Sequence, residues 1–201
     1  MDYTQIINLL QLIFTASIAE NMALYYFLGT CPLISVSSDL KVSFQMGLTV
    51  CFVMLASTAL NYLAFHYVLV PLGIEYLQLL FFVLVIATVT QFLEQFLDRF
   101  FPEIYASFGI FLPLIAVNCA ILGVCLFAVL REYDFVNSAF YALGSGLGWL
   151  LVICLMASLR KRICMSAVSP YLGKTGIAMI TACIMALAFY GLSSIIPKGG
   201  I

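Results

Sequence analysis

The sequence predicts an all-α integral membrane protein, with six transmembrane helices arranged as two inverted three-helix repeats whose first and fourth helices are broken. Three observations carry that expectation. Of 201 residues, 65% are hydrophobic and 8% are charged, against about 25% charged in soluble domains. Apolar stretches long enough to cross a bilayer recur along the whole chain. Related segments also stand in its two halves. Eight Lys/Arg and nine Asp/Glu cannot cover a water-soluble globule of this size. A soluble enzyme, a secreted disulfide scaffold, a disordered chain and a nucleic-acid binder are therefore excluded.

The apolar stretches run 5–29, 46–70, 76–97, 104–130, 136–159 and 175–196. Each reaches the ~20 residues that a helix needs to traverse the hydrocarbon core. They lack the alternating polar positions of a barrel strand, so helices fit and a β-barrel does not. The first basic residue is Lys41, so the start lacks the basic n-region of a cleaved signal and is expected to remain as a span. Short connections predict a single membrane domain over 1–201, with repeat 1 at about 1–100 and repeat 2 at about 101–201. Alternate loops carry Lys41, Arg99, Arg160, Lys161, Arg162 and Lys174, against Arg131 and Lys198 on the other side. The excess of positive charge places the first set in the cytoplasm and both termini outside.

Around Cys31 the chain reads Thr-Cys-Pro-Leu-Ile-Ser-Val, and around Cys119 it reads Asn-Cys-Ala-Ile-Leu-Gly-Val. Val50-Cys-Phe-Val-Met-Leu-Ala-Ser57 likewise parallels Leu151-Val-Ile-Cys-Leu-Met-Ala-Ser158. A duplicated unit of three spans must insert the second time upside down, which is an inverted repeat. The first apolar region continues past Gly29 to Val36; unbroken from residue 5 it would measure about 48 Å, too long for a core of about 30 Å. Gly29 and Pro32 are the natural break. The fourth stretch carries Gly109 and Pro113 ahead of Cys119. Interrupted helices at corresponding places in two halves point to a functional centre.

Cys31 and Cys119 are accordingly the leading candidates, on a pseudo-two-fold axis near the midplane. Two cysteines so placed can form a disulfide, bind a soft metal or ligate an iron–sulfur cluster. A [2Fe–2S] cluster takes four thiolates, so two would have to come from another subunit. The other five cysteines read as packing residues. Glu20, inside the first span, and Glu94, near the end of the third, are candidates for a cation path, because intramembrane carboxylates are costly. For Glu20 a helix-to-helix hydrogen bond is the competing role, and for Glu94 a position at the cytoplasmic interface. Gly144, Gly146 and Gly148 read as a small-residue face for close helix packing, and Arg160-Lys161-Arg162 as a topology determinant. No HExxH, GxSxG or P-loop pattern is present, so the chain holds no complete active site of its own.

The segment Glu20-Asn-Met-Ala-Leu-Tyr-Tyr-Phe-Leu-Gly-Thr-Cys31 and the run Phe108-Gly-Ile-Phe-Leu-Pro-Leu-Ile-Ala-Val-Asn-Cys-Ala120 resemble the NqrDE/RnfAE family. The resemblance covers nearly the whole chain. Glu20-Asn-Met-Ala-Leu, Leu93-Glu-Gln-Phe-Leu-Asp-Arg-Phe-Phe-Pro102, and Arg131-Glu-Tyr-Asp with Gly144-Ser-Gly-Leu-Gly-Trp149 lean toward the Nqr branch. Pro32 leans toward the Rnf branch.

The resemblance implies a six-helix subunit of a bacterial inner-membrane complex, the Na+-translocating NADH:ubiquinone oxidoreductase or its Rnf relative. It implies that Cys31 and Cys119 ligate a [2Fe–2S] cluster, completed by a homologous subunit inserted in the opposite sense, NqrD or RnfE. It further implies electron relay between flavin and iron–sulfur centres, coupled to Na+ export. A charge change in a low-dielectric site is costly unless a cation compensates it, and Glu20 or Glu94 would supply that cation's ligand. A small inverted-repeat transporter and a purely structural anchor are the competing classes.

Overall fold

The computed structural model describes residues 3–73, 75–100, 112–164 and 173–195, and every regular element among them is helical. Helix α1 (Tyr3–Phe14) runs into a π-helical turn, Thr15–Ala19, and the chain then leaves helical geometry until α2 (Thr30–Val36). Helix α3 (Leu40–Ala64) is extended by a second π-turn, Phe65–Leu69. Then follow α4 (Gln78–Phe100), α5 (Leu112–Ala116), α6 (Cys119–Leu130), α7 (Phe135–Cys164) and α8 (Lys174–Ile195).

Three helical segments are long and apolar enough to cross a membrane: Leu40–Leu69, Gln78–Arg99 and Phe135–Ile163. Three shorter apolar ones, Gln5–Ala19, Leu114–Leu130 and Thr175–Gly191, lie on the first, fourth and sixth stretches marked in the sequence. The first is short because its helix ends at Glu20. The start of the fourth stretch, with Gly109, and Lys198 lie outside the described residues.

The breaks are not where proline alone would put them. The first extends from Glu20 through Gly29, and Pro32 sits in the opening turn of α2. There its missing N–H has no helical acceptor to lose. Pro113 is likewise the second residue of α5, and the second break falls at Val117 and Asn118. Asparagine side chains and a left-handed glycine interrupt these helices.

Helix α7 is the centre of the bundle. Its Trp149 and Tyr141 are fully buried, together with Met22, Met46, Met54 and Phe82. Lipid is as apolar as these side chains, so close packing rather than the hydrophobic effect must hold the helices together. The three glycines of α7 serve that end, though on two faces rather than the one expected. A Cβ at Gly148 would lie 2.5 Å from the Ser17 carbonyl oxygen, and one at Gly144 would lie 2.9 Å from that of Ile13. A Cβ at Gly146 would instead meet Cys51, at 2.8 Å from its Sγ. Residues i and i+4 share a helix face and i+2 points the other way. Residue numbers rise together along α1 and α7, so these helices are parallel and their N-termini share one end of the bundle. Against α3, where Gly47 meets Leu150 and Gly146 meets Cys51, α7 runs antiparallel.

Arg160 has a role beyond orientation. Its guanidinium donates to the Ile34 carbonyl and to Ser37 Oγ, both at 2.7 Å, tying the end of α7 to the C-terminal end of α2. Helix α4 is the least enclosed span, with Leu79, Leu80, Leu84 and Phe92 facing outward.

Gly148→Val should lower the thermal unfolding midpoint of the purified protein in detergent, by an overpacking cost of about 1–3 kcal/mol. Gly176→Ala, on α8, where a Cβ meets nothing within 4 Å, should leave it unchanged or slightly raised. Equal midpoints for the two variants would contradict this packing.

Candidate functional site

The two breaks are built alike. Asn118 caps α6 from extended backbone, and its Oδ1 accepts the Ala120 N–H at 3.0 Å. Asn21, directly after the first helix ends, accepts the Ala23 N–H at the same 3.0 Å. Both asparagines are buried. In each case a side-chain oxygen takes an N–H that a broken helix leaves open.

The breaks also meet. Gly29, at φ +77°, turns the chain into α2 and donates its N–H to Cys119 Sγ at 2.9 Å. Cys119 is the first residue of α6 and Cys31 the second of α2. The structure thus sets the turn that presents Cys31 directly against Cys119, across the two halves of the chain. Gly29 is the residue that permits it. A side chain there would be strained at that φ, and its Cβ would fall 2.8–2.9 Å from Ala120 Cβ, Asn118 Oδ1 and Trp149 Nε1.

Both thiols are free; Cys31 is exposed and Cys119 half-buried. The first-turn N–H groups of α6 carry partial positive charge, which favours a negatively charged sulfur at Cys119. Beside this crossing lie two buried donors without hydrogen-bond partners, Asn118 Nδ2 and Trp149 Nε1. Asn118 is 3% exposed and Trp149 0%, and an unpaired buried donor costs about 1–3 kcal/mol. Among the described residues no group of three or more His, Cys, Asp or Glu comes together. A metal centre at Cys31 and Cys119 therefore needs ligands from another chain.

The carboxylates are placed elsewhere. Glu20 Oε2 accepts from Arg131 at 2.5 Å, with side chains 16% and 27% exposed respectively. Arg131 also donates to Tyr133 and Tyr26, and its guanidinium lies 5.5 Å from the Tyr141 ring centre. The first helix is thereby bonded to the end of α6, the helix-to-helix role weighed for Glu20. Glu94 stands half-buried on α4, five residues before Arg99, and is not joined to this cluster.

Of the other cysteines, Cys125 accepts from Asn61 Nδ2 at 3.2 Å in the buried core, and Cys51 is buried against Gly146. Sequence reasoning missed Arg131, Asn118 and Trp149 as members of these clusters. The available signals were an asparagine directly before a candidate ligand and the single tryptophan of the chain.

A family model described as "Rnf-Nqr subunit, membrane protein" matches residues 9–196. The chain is 44% identical over 178 residues to the A subunit of the ion-translocating oxidoreductase complex of Aeromonas hydrophila, covering 88% of this chain and 92% of that protein. It is 41% identical over 198 residues to the E subunit of the Na(+)-translocating NADH-quinone reductase of Nitrosomonas europaea, covering 94% of this chain and 98% of the relative. The corresponding protein of Chlamydia trachomatis is 39% identical over 206 residues, covering 96% and 84%.

Two substitutions probe the geometry directly. Gly29→Ala should sharply reduce the yield of folded protein, since it adds both backbone strain and three close contacts; wild-type yield and melting would show that the breaks do not meet at Gly29. Glu20→Gln and Arg131→Gln should each cost about 2 kcal/mol, the scale of a charge-assisted hydrogen bond. The double variant should cost less than the sum of the two, as a double-mutant cycle on thermal stability would read.

Proposed function

This chain belongs to the Rnf-Nqr family of membrane subunits, and from that premise we propose that it is NqrE, the electron-relay component of a Na+-translocating NADH:ubiquinone oxidoreductase. In this reading six spans form two inverted repeats in the bacterial inner membrane, with both termini periplasmic. Cys31 and Cys119 supply half the ligands of a [2Fe–2S] cluster, and a homologous, oppositely inserted NqrD supplies the rest. The single observation that carries the proposal is the Gly29–Cys119 hydrogen bond, which sets the first candidate ligand's turn on the second ligand.

The residues present suit such a group. Two free thiols, two unpaired buried N–H donors and the N-terminal end of α6 make a setting for anionic sulfur. When bound, the cluster would supply one-electron transfer. The chain's own part is to hold the two thiols at the junction of its halves and to leave one side open. Cys31 is exposed, Val117 beside the second break is 79% exposed, and a groove of about 740 Å³ runs along α4 past Leu84, Phe92 and Ala116. These surfaces are where a partner subunit would seat.

Glu94 is the better placed of the two carboxylates to meet a cation, because Glu20 is already engaged by Arg131. Membership of the Rnf complex, as RnfA paired with RnfE, is the second reading, and Pro32 after the first cysteine favours it.

The test is iron and acid-labile sulfide, with EPR of the reduced sample, on this chain co-purified anaerobically with its membrane partner. About two irons per heterodimer, lost in Cys31→Ala and in Cys119→Ala alike, is the expected result. An iron-free but well-folded heterodimer would overturn the relay reading and leave a transporter or an anchor. Glu94→Gln should depress Na+ uptake by vesicles holding the complex; unchanged uptake would remove Glu94 from the cation path.

A further inference from the structure

We infer that Trp149, through its indole N–H, is a positioning residue that hydrogen-bonds sulfur at the Cys31/Cys119 site and raises its reduction potential, with the Asn118 side-chain amide as the second donor. The inference rests on the proposed cluster but assigns it a property that the two ligands alone do not determine. Trp149 is 0% exposed in the middle of α7, and its Nε1 has no partner. Indole can only donate, so only an acceptor relieves the cost of burying it. Asn118 has already committed its oxygen to the Ala120 N–H and holds its Nδ2 free and buried.

Both side chains converge on Gly29, where Trp149 Nε1 and Asn118 Oδ1 lie within 2.9 Å of the position a Cβ would take. The N–H of that same glycine already donates to Cys119 Sγ. Two unpaired donors beside a sulfur that accepts a third N–H describe a pocket suited to an acceptor-rich, negatively charged group. Hydrogen bonds to cluster sulfur favour the more negative, reduced state and so shift the potential upward.

The experiment uses the anaerobically purified complex, wild type and Trp149→Phe, grown with 15N-indole tryptophan. Iron content, an EPR-monitored redox titration and pulsed-EPR nitrogen hyperfine spectra are read on each. Trp149 is the single tryptophan of this chain, so the variant assigns any indole signal to it. The expected result is full iron in both proteins, a lower midpoint potential in Trp149→Phe, and an indole nitrogen coupling in wild type that the variant lacks. Iron retained with an unchanged midpoint and no indole coupling would overturn the inference while leaving the cluster itself in place. Absence of iron from wild type would instead overturn the underlying functional reading, and the inference with it. Should Trp149→Phe fail to assemble, the labelled wild type still decides, because a coupling from Trp149 is present or absent there.

Discussion

The constraint on which the rest of this structure depends is that a main-chain N–H opened inside a membrane must be satisfied by protein. An unsatisfied group in hydrocarbon costs several kcal/mol, and this chain interrupts two helices within its apolar stretches. It closes them against each other. Asn21 and Asn118 each take an N–H two residues on, and the remaining N–H at the turn, that of Gly29, goes to Cys119 Sγ. The sulfur thus serves as an acceptor in the fold before any ligand is considered. Structural need and candidate chemistry coincide at one atom.

That arrangement requires backbones to approach closely, and the composition of α7 makes it feasible. Gly144 and Gly148 let the first helix lie against α7, and Gly146 lets α3 lie on its other side. With the two neighbours seated, Trp149 is held at the crossing and its indole N–H is fixed beside Gly29. The Glu20–Arg131 pair and the Arg160 contact with the end of α2 brace the interrupted segments. In each pair one member comes from the N-terminal half and the other from the C-terminal half. Separating the halves would leave charged groups without partners, at a larger cost than an exposed surface pair would incur.

The same economy explains what the chain leaves open. Helix α4 carries a row of outward apolar side chains, and Cys31 and Val117 face outward beside the breaks. A membrane protein that gathers only two thiols, with no further metal ligand nearby among the described residues, has an incomplete centre and an unfilled flank in the same neighbourhood. Similarity to components of multi-protein oxidoreductases fits a chain whose chemistry is finished by its neighbours.

By itself the sequence determined the membrane class, the helical content, the apolar stretches, and the importance of Cys31, Cys119 and the small residues of α7. These are legible because lipid imposes composition and length on a local scale, and because charge and glycine are rare enough in a span to stand out. Tertiary structure decided the rest. It moved the breaks from Gly29 and Pro32 to an interval opened by Glu20 and Asn21 and closed by Gly29, because proline in a first turn loses no bond while an asparagine side chain can replace one. It split the glycines between two faces, converted Glu20 from a lone carboxylate into a partner of Arg131, and gathered Asn118 and Trp149 around Gly29. Those pairings join residues about 100 positions apart. No local periodicity encodes such contacts; only the packing of one half of the chain against the other does.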